Sequence, residues 1–526
     1  MGVLSRRPGR WNKYIRVFCG ATALLAALGI LVACSQSQPP PPTVVAPTPT
    51  GAPVAAPTAT PVPLKLLKVQ PEKGYIGDSF AITGEGFLPG QGVEFQWATM
   101  EGSYLNKAIA TDLQFHKRQF TPKRVRLGGV TADAQGKVTA SFNALEDFGE
   151  TREIYAVVDG KDVGKGGFRI LRTASITPTE GPVGTPITVT IKGIGWSAFQ
   201  NTMALRYDNK HMGFISAVTT KGTAVFQIRA AGPVGKHIVQ VTGASPTLAY
   251  LNLQQSPVGY IPMDFAFEFK VTGDNGPPPV TQVWPDKKYA IIAGSGVPGT
   301  MVEKLVTAPG VSAKIEPGRG QVHSRPAVKA SGLPPNTEVE LRWVTGRGSD
   351  SLGVRFLAEL PLVKAVTDQQ GTLSASFEVT DDRGGWQVVR VVRDSQVFAE
   401  LAYFVERTDV SVTPTRVKLG EKFTIQLNGV GWTEMDKGVA VTYDNAYIGY
   451  ACGVSSSGTV VINLVATGGP GTHIIDLWPM IYRQPGEHPP EFWNFQMAQL
   501  TGLQDHPALS LGYYQPNVRL AIEVVE

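Results

Sequence analysis

"ITPTEGPVGTPITVTIKGIGW" (Ile176–Trp196) and "VTPTRVKLGEKFTIQLNGVGW" (Val412–Trp432) are two versions of one pattern. Pro178 matches Pro414, Gly184 matches Gly420 and Trp196 matches Trp432, each pair 236 residues apart. The offset continues without a gap through "RYDNKHMGF" from Arg206 and "TYDNAYIGY" from Thr442, and on to His237 and His473. A second pair of segments repeats beside it. Pro71, Gly86, Val93 and Trp97 precede Pro317, Gly332, Val339 and Trp343 by 246 residues. Asp133, Gly136, Phe142 and Gly149 precede Asp368, Gly371, Phe377 and Gly384 by 235, so the first copy holds 11 extra residues between Trp97 and Asp133. The chain is a duplicated two-domain unit, A–B–A′–B′.

Each unit has the period of a β-sheet. Ile187, Val189 and Ile191 alternate with threonine and lysine, as do Phe423, Ile425 and Leu427 with their neighbours. Phe265, Phe267, Phe269 and Val271 form a later run, and Val518, Leu520, Ile522 and Val524 close the chain. Strict alternation buries one face and wets the other. Glycine and proline punctuate these runs at roughly 8–12-residue spacing, as β-sandwiches require. The expected architecture is all-β, with sandwiches over 66–172, 174–272, 311–407 and 409–526 and a spacer over 273–310.

The opening of the first copy, "VQPEKGYIGDSFAITGEGF" from Val69, resembles the IPT/TIG immunoglobulin-like domain. The Gly-x-Gly-aromatic element stands at Gly84–Phe87, Gly193–Trp196 and Gly429–Trp432; the third copy, "ASGLPPN", keeps only Gly332. The resemblance implies tandem immunoglobulin-like β-sandwiches. Such domains serve as stalks, adhesion modules and glycan-binding appendages, and the fold itself names no chemistry. In physical terms the glycine permits the bend and the aromatic plugs the core.

Upstream of the repeats the chain changes character. Arg6, Arg7, Arg10, Lys13 and Arg16 precede Val17–Ala33, a stretch of 17 residues without a charge. A basic segment followed by an apolar one reads as a secretory signal over 1–33, or as an uncleaved apolar anchor, though it is short for a membrane span. "LVAC" resembles the bacterial lipobox and implies lipidation of Cys34. Residues 34–65 follow with proline, threonine and alanine, a composition that forms an extended stalk rather than a core. At ~3.1 Å per residue such a stalk reaches roughly 90 Å. Without the leader the charges balance at 43 basic and 43 acidic, which removes the compositional case for nucleic-acid binding. Three cysteines occur, Cys19, Cys34 and Cys452, and only the last lies in the repeats, so no disulfide framework is expected.

Strings that imitate catalytic motifs fail against the repeat. "GDSF" at Gly77–Phe80 has "GTPI" and "GEKF" at the equivalent positions. "GSGVPG" at Gly294–Gly299 lacks the βαβ context of a dinucleotide site. His237 and His473 occupy one repeated position and read as architectural. Asp208–Asn209 and Asp444–Asn445 suit the left-handed turn of a hairpin better than a calcium site. Cys452 aligns with Ser216, a small strand residue rather than a nucleophile. No enzyme, metal or cofactor is expected.

Function in repeats sits where the copies differ. The extra residues of the first domain bring "HKRQFTPKRVR", with Lys117, Arg118, Lys123, Arg124 and Arg126: a solvated hairpin, or a contact for an anionic wall polymer or lipid headgroups. The fourth domain inserts "WPMIYRQPGEHPPEFWNFQM", with Trp478, Tyr482, Phe492, Trp493 and Phe495: a loop folded over its own sandwich, or an aromatic platform for sugar rings or a partner protein. Two classes of function follow. One is a non-catalytic, lipid-anchored surface binding or adhesion protein on the extracytoplasmic membrane face, with a glycan, wall polymer or envelope protein as partner. The other is a structural spacer or accessory subunit of an envelope complex.

Overall fold

The computed structural model describes residues 63–526 except 110–111, 198–199, 245–247, 253–254, 256–264, 287–304, 350–352, 408–409, 454–456, 483–495 and 513–514. Cys34 and nearly all of the proline-rich segment lie outside the described residues.

The alternating run Ile187–Val189–Ile191 shows how the sequence builds the fold. All three side chains are fully buried in strand Pro186–Lys192, and the residues between them are half-exposed. This strand pairs antiparallel with Thr173–Thr177 on one side and Ala224–Arg229 on the other, giving a three-stranded sheet. Facing it is a five-stranded sheet in the order Glu180–Gly181, Phe265–Val271, Gly235–Gly243, Met203–Tyr207, Lys210–Ile215. Its first strand runs parallel to its neighbour and the rest are antiparallel. Inward residues of both sheets meet in one core, including Ile187, Leu205, Tyr207, Val239 and Phe269.

The same three-plus-five plan recurs four times, with one short extra strand in the first and last copies. The fold is a tandem array of immunoglobulin-like β-sandwiches. The third copy follows this plan although it keeps only one glycine of the Gly-x-Gly-aromatic element. Asp208 and Asn209 have φ of 50° and 64°, and Asp444 and Asn445 have 44° and 60°, the two-residue left-handed turn that the sequence suggested. His237 Nδ1 lies 2.6 Å from Asp208 Oδ2, and His473 Nδ1 lies 2.5 Å from Asp444 Oδ2. The repeated histidine therefore ties a strand to its neighbouring turn.

Two features differ from the sequence reading. The segment between the units is not a bare spacer. Thr281–Val283 adds a strand to the fourth domain's sheet through Asn517–Val525, and the Asp274 carboxylate accepts from Thr472 N and Oγ1 at 2.7 and 2.6 Å. At its other end, Thr307 bridges to Ala399 of the third domain.

The second is that the four sandwiches share an interior. Leu113 and Phe115 of the first domain, Phe214 and Val218 of the second, Val344 and Trp386 of the third, and Met435 and Ile481 of the fourth form one buried cluster. Trp478 and Met480 of the fourth domain also join the second domain's core. Between these two domains the buried Arg229 guanidinium meets Asp476 at 2.6 Å and donates to the carbonyls of Ile475 and Leu520 at 3.1 and 2.7 Å. Apolar burial on this scale holds the domains as a single head rather than as independent beads.

Candidate functional site

The 11 extra residues of the first domain lengthen one hairpin, strands Gly92–Ile109 and Asp112–Thr131, into an arm. Its third-domain counterpart, Glu338–Ser349 and Gly353–Val366, is shorter. The arm does not wave in solvent. Leu113 and Phe115 are fully buried in the shared cluster. Near the tip, Tyr104 OH donates to Asp505 Oδ2 at 3.0 Å and Asn106 Nδ2 donates to Pro507 O at 3.0 Å, both in the fourth domain. Asp505 is the hub. Its carboxylate also accepts from Ser216 Oγ, Val218 N, Thr219 N and Thr219 Oγ1 of the second domain at 2.7 to 2.9 Å. Burial and the Asp505 charge push the Tyr104 hydroxyl well up, so it stays a donor. Ser216, aligned with Cys452, thus belongs to this interdomain network.

The arm's basic residues are largely occupied. Arg118 is buried and donates to Thr202 Oγ1 at 3.2 Å. Lys123 pairs with Glu101 at 3.1 Å, Arg124 grips both oxygens of Asp162 at 2.6 and 2.9 Å, and Arg126 meets Glu94 at 2.7 Å. Lys117 is exposed and meets no carboxylate among the described residues. Of the two sequence readings, a solvated hairpin or a contact for an anionic polymer, the fold bears on both by setting acidic residues against Lys123, Arg124 and Arg126.

The fourth domain's aromatic block is also redistributed. Trp478 is not part of an exposed platform. Its ring is fully buried between the second and fourth domains, and its Nε1 donates to Thr442 Oγ1 at 3.0 Å. Tyr482 is half-buried, with the Lys437 ammonium 4.5 Å from its ring centre. Phe492, Trp493 and Phe495 lie outside the described residues. The block's continuation bonds its own sandwich, where Tyr447 OH donates to Gln496 O at 2.6 Å, and it also reaches a neighbour. Phe214 N donates to Ala498 O at 2.9 Å and Leu500 N to Phe214 O at 3.0 Å, which caps the edge strand of the second domain's sheet.

A groove of about 570 Å³ remains open where the first and second domains meet. Its floor is the outer face of the first domain's large sheet, with Met100, Thr151, Glu153 and Tyr155; Pro122, Lys123 and Arg124 of the arm and Trp196 of the second domain form its walls. Two repeated devices fix this junction. Trp97 Nε1 donates to Asp147 Oδ2 at 2.7 Å, and Trp343 does the same to Asp382 at 2.7 Å in the third domain. Gly149 N donates to Ile194 O, and Gly384 N to Val430 O, each at 3.1 Å. A β-carbon at either glycine would collide with the carbonyl oxygen of Gly193 or Gly429, so only glycine lets the domains approach this closely.

Charge in the groove is balanced. Besides the Lys123 and Arg124 pairs, Glu153 meets Lys165 at 2.5 Å and accepts from Tyr155 OH at 2.5 Å, and these bonds hold the Glu153 carboxyl below its usual range. Arg124 also lies over the Tyr155 ring at 3.9 Å. Arg152 differs from these. It is 4% exposed, and its Nε has no hydrogen-bond partner among the described residues. Burial pushes its guanidinium down, opposed by the charges of Asp147, Glu150 and Glu153. Asp147 already accepts from Trp97 Nε1, Thr99 Oγ1 and Phe148 N. One hint of this site was legible in the sequence, the repeated Trp196.

No family model matches the chain, and no curated protein matches it. Among solved structures, invasin, a bacterial integrin-binding protein, is 11% identical over 78% of this chain and 76% of its own, with a TM-score of 0.19. A putative membrane anchored protein from Corynebacterium diphtheriae is 10% identical over 65% of this chain and 91% of its own, with a TM-score of 0.17. The E. coli alpha-2-macroglobulin in its native conformation is 10% identical over 86% of this chain, with a TM-score of 0.16; this chain spans 30% of its length. Likenesses this low carry no argument about function.

Proposed function

We propose that this protein is a non-catalytic binding protein of the cell envelope, tethered through lipid on Cys34 and presenting its immunoglobulin-like head beyond a proline-rich stalk. The observation that carries this reading is the leader: five basic residues, an uncharged apolar run, then "LVAC" directly before "SQSQPPPP". The head suits display. Four sandwiches locked by a common interior hold any surface site in fixed geometry, which lowers the ordering cost of binding. The IPT/TIG resemblance and the absence of a motif that survives the repeat comparison support a binder over an enzyme. Ser79 of "GDSF" is an exposed residue at the start of strand Ser79–Gly84, with no base bonded to it among the described residues. Phe492, Trp493 and Phe495 remain the fourth domain's candidate contacts for a partner. The test is Cys34→Ser. The variant should accumulate unprocessed or leave the membrane fraction, while a variant that fractionates and migrates like the wild type refutes the anchor.

A further inference from the structure

We propose that the groove between the first and second domains, walled by Trp196 and reaching Arg152, binds an uncharged sugar ring of a glycan. This rests on the reading of the chain as a binding protein, and it concerns a site apart from both the lipid anchor and the fourth domain's aromatic block.

The duplication supplies an internal control. Trp196 and Trp432 occupy one repeated position, yet Trp432 is 3% exposed while Trp196 is only partly covered. Arg152 corresponds to Gln387 at the 235-residue offset. Gln387 is buried; its Nε2 donates to Arg383 O at 2.7 Å, while its Oε1, an acceptor, has no hydrogen-bond partner among the described residues. In the first domain the equivalent place holds a longer, charged donor whose Nε is left unpaired. A buried donor without a partner costs stability unless a ligand or water completes it. What distinguishes the first copy is that its unpaired atom is a donor of a charged group and that this residue lines the open groove.

The chemistry of the lining selects the ligand. Trp196 offers an indole that meets Phe120 edge-on at 6.1 Å, leaving apolar ring surface at the groove. Arg152 supplies a donor. Glu153 and Thr151 supply oxygen acceptors, and Thr151 a hydroxyl that also donates. A pyranose presents an apolar C–H face and a rim of hydroxyls that both donate and accept, which answers such a set. Because Lys123, Arg124 and Glu153 are already matched by Glu101, Asp162 and Lys165, the groove lacks the unbalanced field that would draw a polyanion. About 570 Å³ accommodates one or two rings.

The experiment uses full-length protein in a sugar-free detergent. Ligand-observed saturation-transfer NMR is run with neutral glucose, xylose and N-acetylglucosamine oligomers, alongside oligogalacturonate and inorganic phosphate. At least one neutral oligomer should receive saturation at its ring C–H protons, with affinity unchanged between low and high salt. Arg152→Gln, which installs the third domain's own residue, should weaken that binding by about tenfold or more with no fall in Tm. Trp196→Ala should weaken it by a similar factor, whereas Lys117→Ala should leave it unchanged. Failure of the whole neutral panel overturns the proposal. So does binding confined to the acidic probes with steep salt dependence, or binding that Arg152→Gln leaves intact. None of these outcomes bears on Cys34.

Discussion

The outer face of the large sheet exists twice in this molecule and meets two fates. In the first domain it carries Ala98, Met100, Thr151, Glu153 and Tyr155 and floors an open groove. In the third domain the equivalent positions are Val344, Gly346, Trp386, Val388 and Arg390, and Val344, Trp386 and Val388 are buried in the cluster shared by all four domains. One scaffold, held by the same tryptophan–aspartate bond, presents a polar face outward and an apolar face inward. The difference is a matter of side-chain exchange at alternate positions of two neighbouring strands. It teaches that the duplication was put to unequal use: one copy glues the head together, and the other is free to meet a ligand.

Removing the glue should have the largest effect. Trp386 is 3% exposed and packs edge-on against Phe404 with ring centres 5.3 Å apart. Trp386→Thr, which imports the first domain's residue, should cost about 3–5 kcal/mol. The reciprocal site should be nearly silent: Thr151 is exposed, so Thr151→Ala should stay within about 0.5 kcal/mol of wild type. Chemical denaturation of both variants checks the contrast, and equal losses would mean that the two faces are not used differently.

The arm is the other asymmetry between the first and third domains, and Asp505 is where it is fastened. Asp505→Ala would leave Tyr104 OH, Ser216 Oγ and the Val218 amide without their acceptor in a buried place. Each stranded donor costs on the order of 1–3 kcal/mol, reduced where water enters. A net loss of about 3 kcal/mol is expected, together with earlier proteolysis within the arm. A variant whose arm resists protease like the wild type would show that apolar burial of Leu113 and Phe115 suffices to dock it.

How far these features were legible depends on the range of the interaction. Period two and the Asp-Asn turn act within a few residues, so the strands and hairpins could be read directly. The tryptophan–aspartate bond was within reach, since Asp147 and Asp382 share the 235-residue offset and stand two residues before the matched Gly149 and Gly384. The extra 11 residues were visible, but their meaning was not. Counting charges cannot see Asp162 closing on Arg124, because the two meet only through strand pairing. Trp478 looked like a displayed ring because it opens a proline-rich block; its partners come from a domain more than 200 residues away. The spacer's low periodicity concealed Thr281–Val283, whose pairing strand lies at the far end of the chain.

The smallest expected effect separates the two histidine–aspartate turns. In the fourth domain, burial pushes the His473 imidazole down, but the Asp444 hydrogen bond and charge, the Gly469 carbonyl and the Asp274 carboxylate outweigh it and hold the net pKa above the usual 6.5. Asp274 comes from the segment between the units, which gives the second domain's turn no matching acid among the described residues. His473 stacks on Tyr443, and both ring nitrogens face acceptors, at Asp444 and Gly469, so the protonated form fits the site. A group whose pKa is raised on folding stabilises the protein fully below its unfolded value, and that stabilisation is lost as pH rises through the folded value. The Tm of the wild type should therefore fall between about pH 6.5 and a point above it, and His473→Gln should flatten that part of the profile. Asp274→Asn should flatten it partly, by removing one of the charges that hold the proton. If the profiles of His473→Gln and wild type run parallel across this window, the imidazolium adds nothing to the fourth domain, and its turn is held by the Asp444–Ile474 amide bond instead.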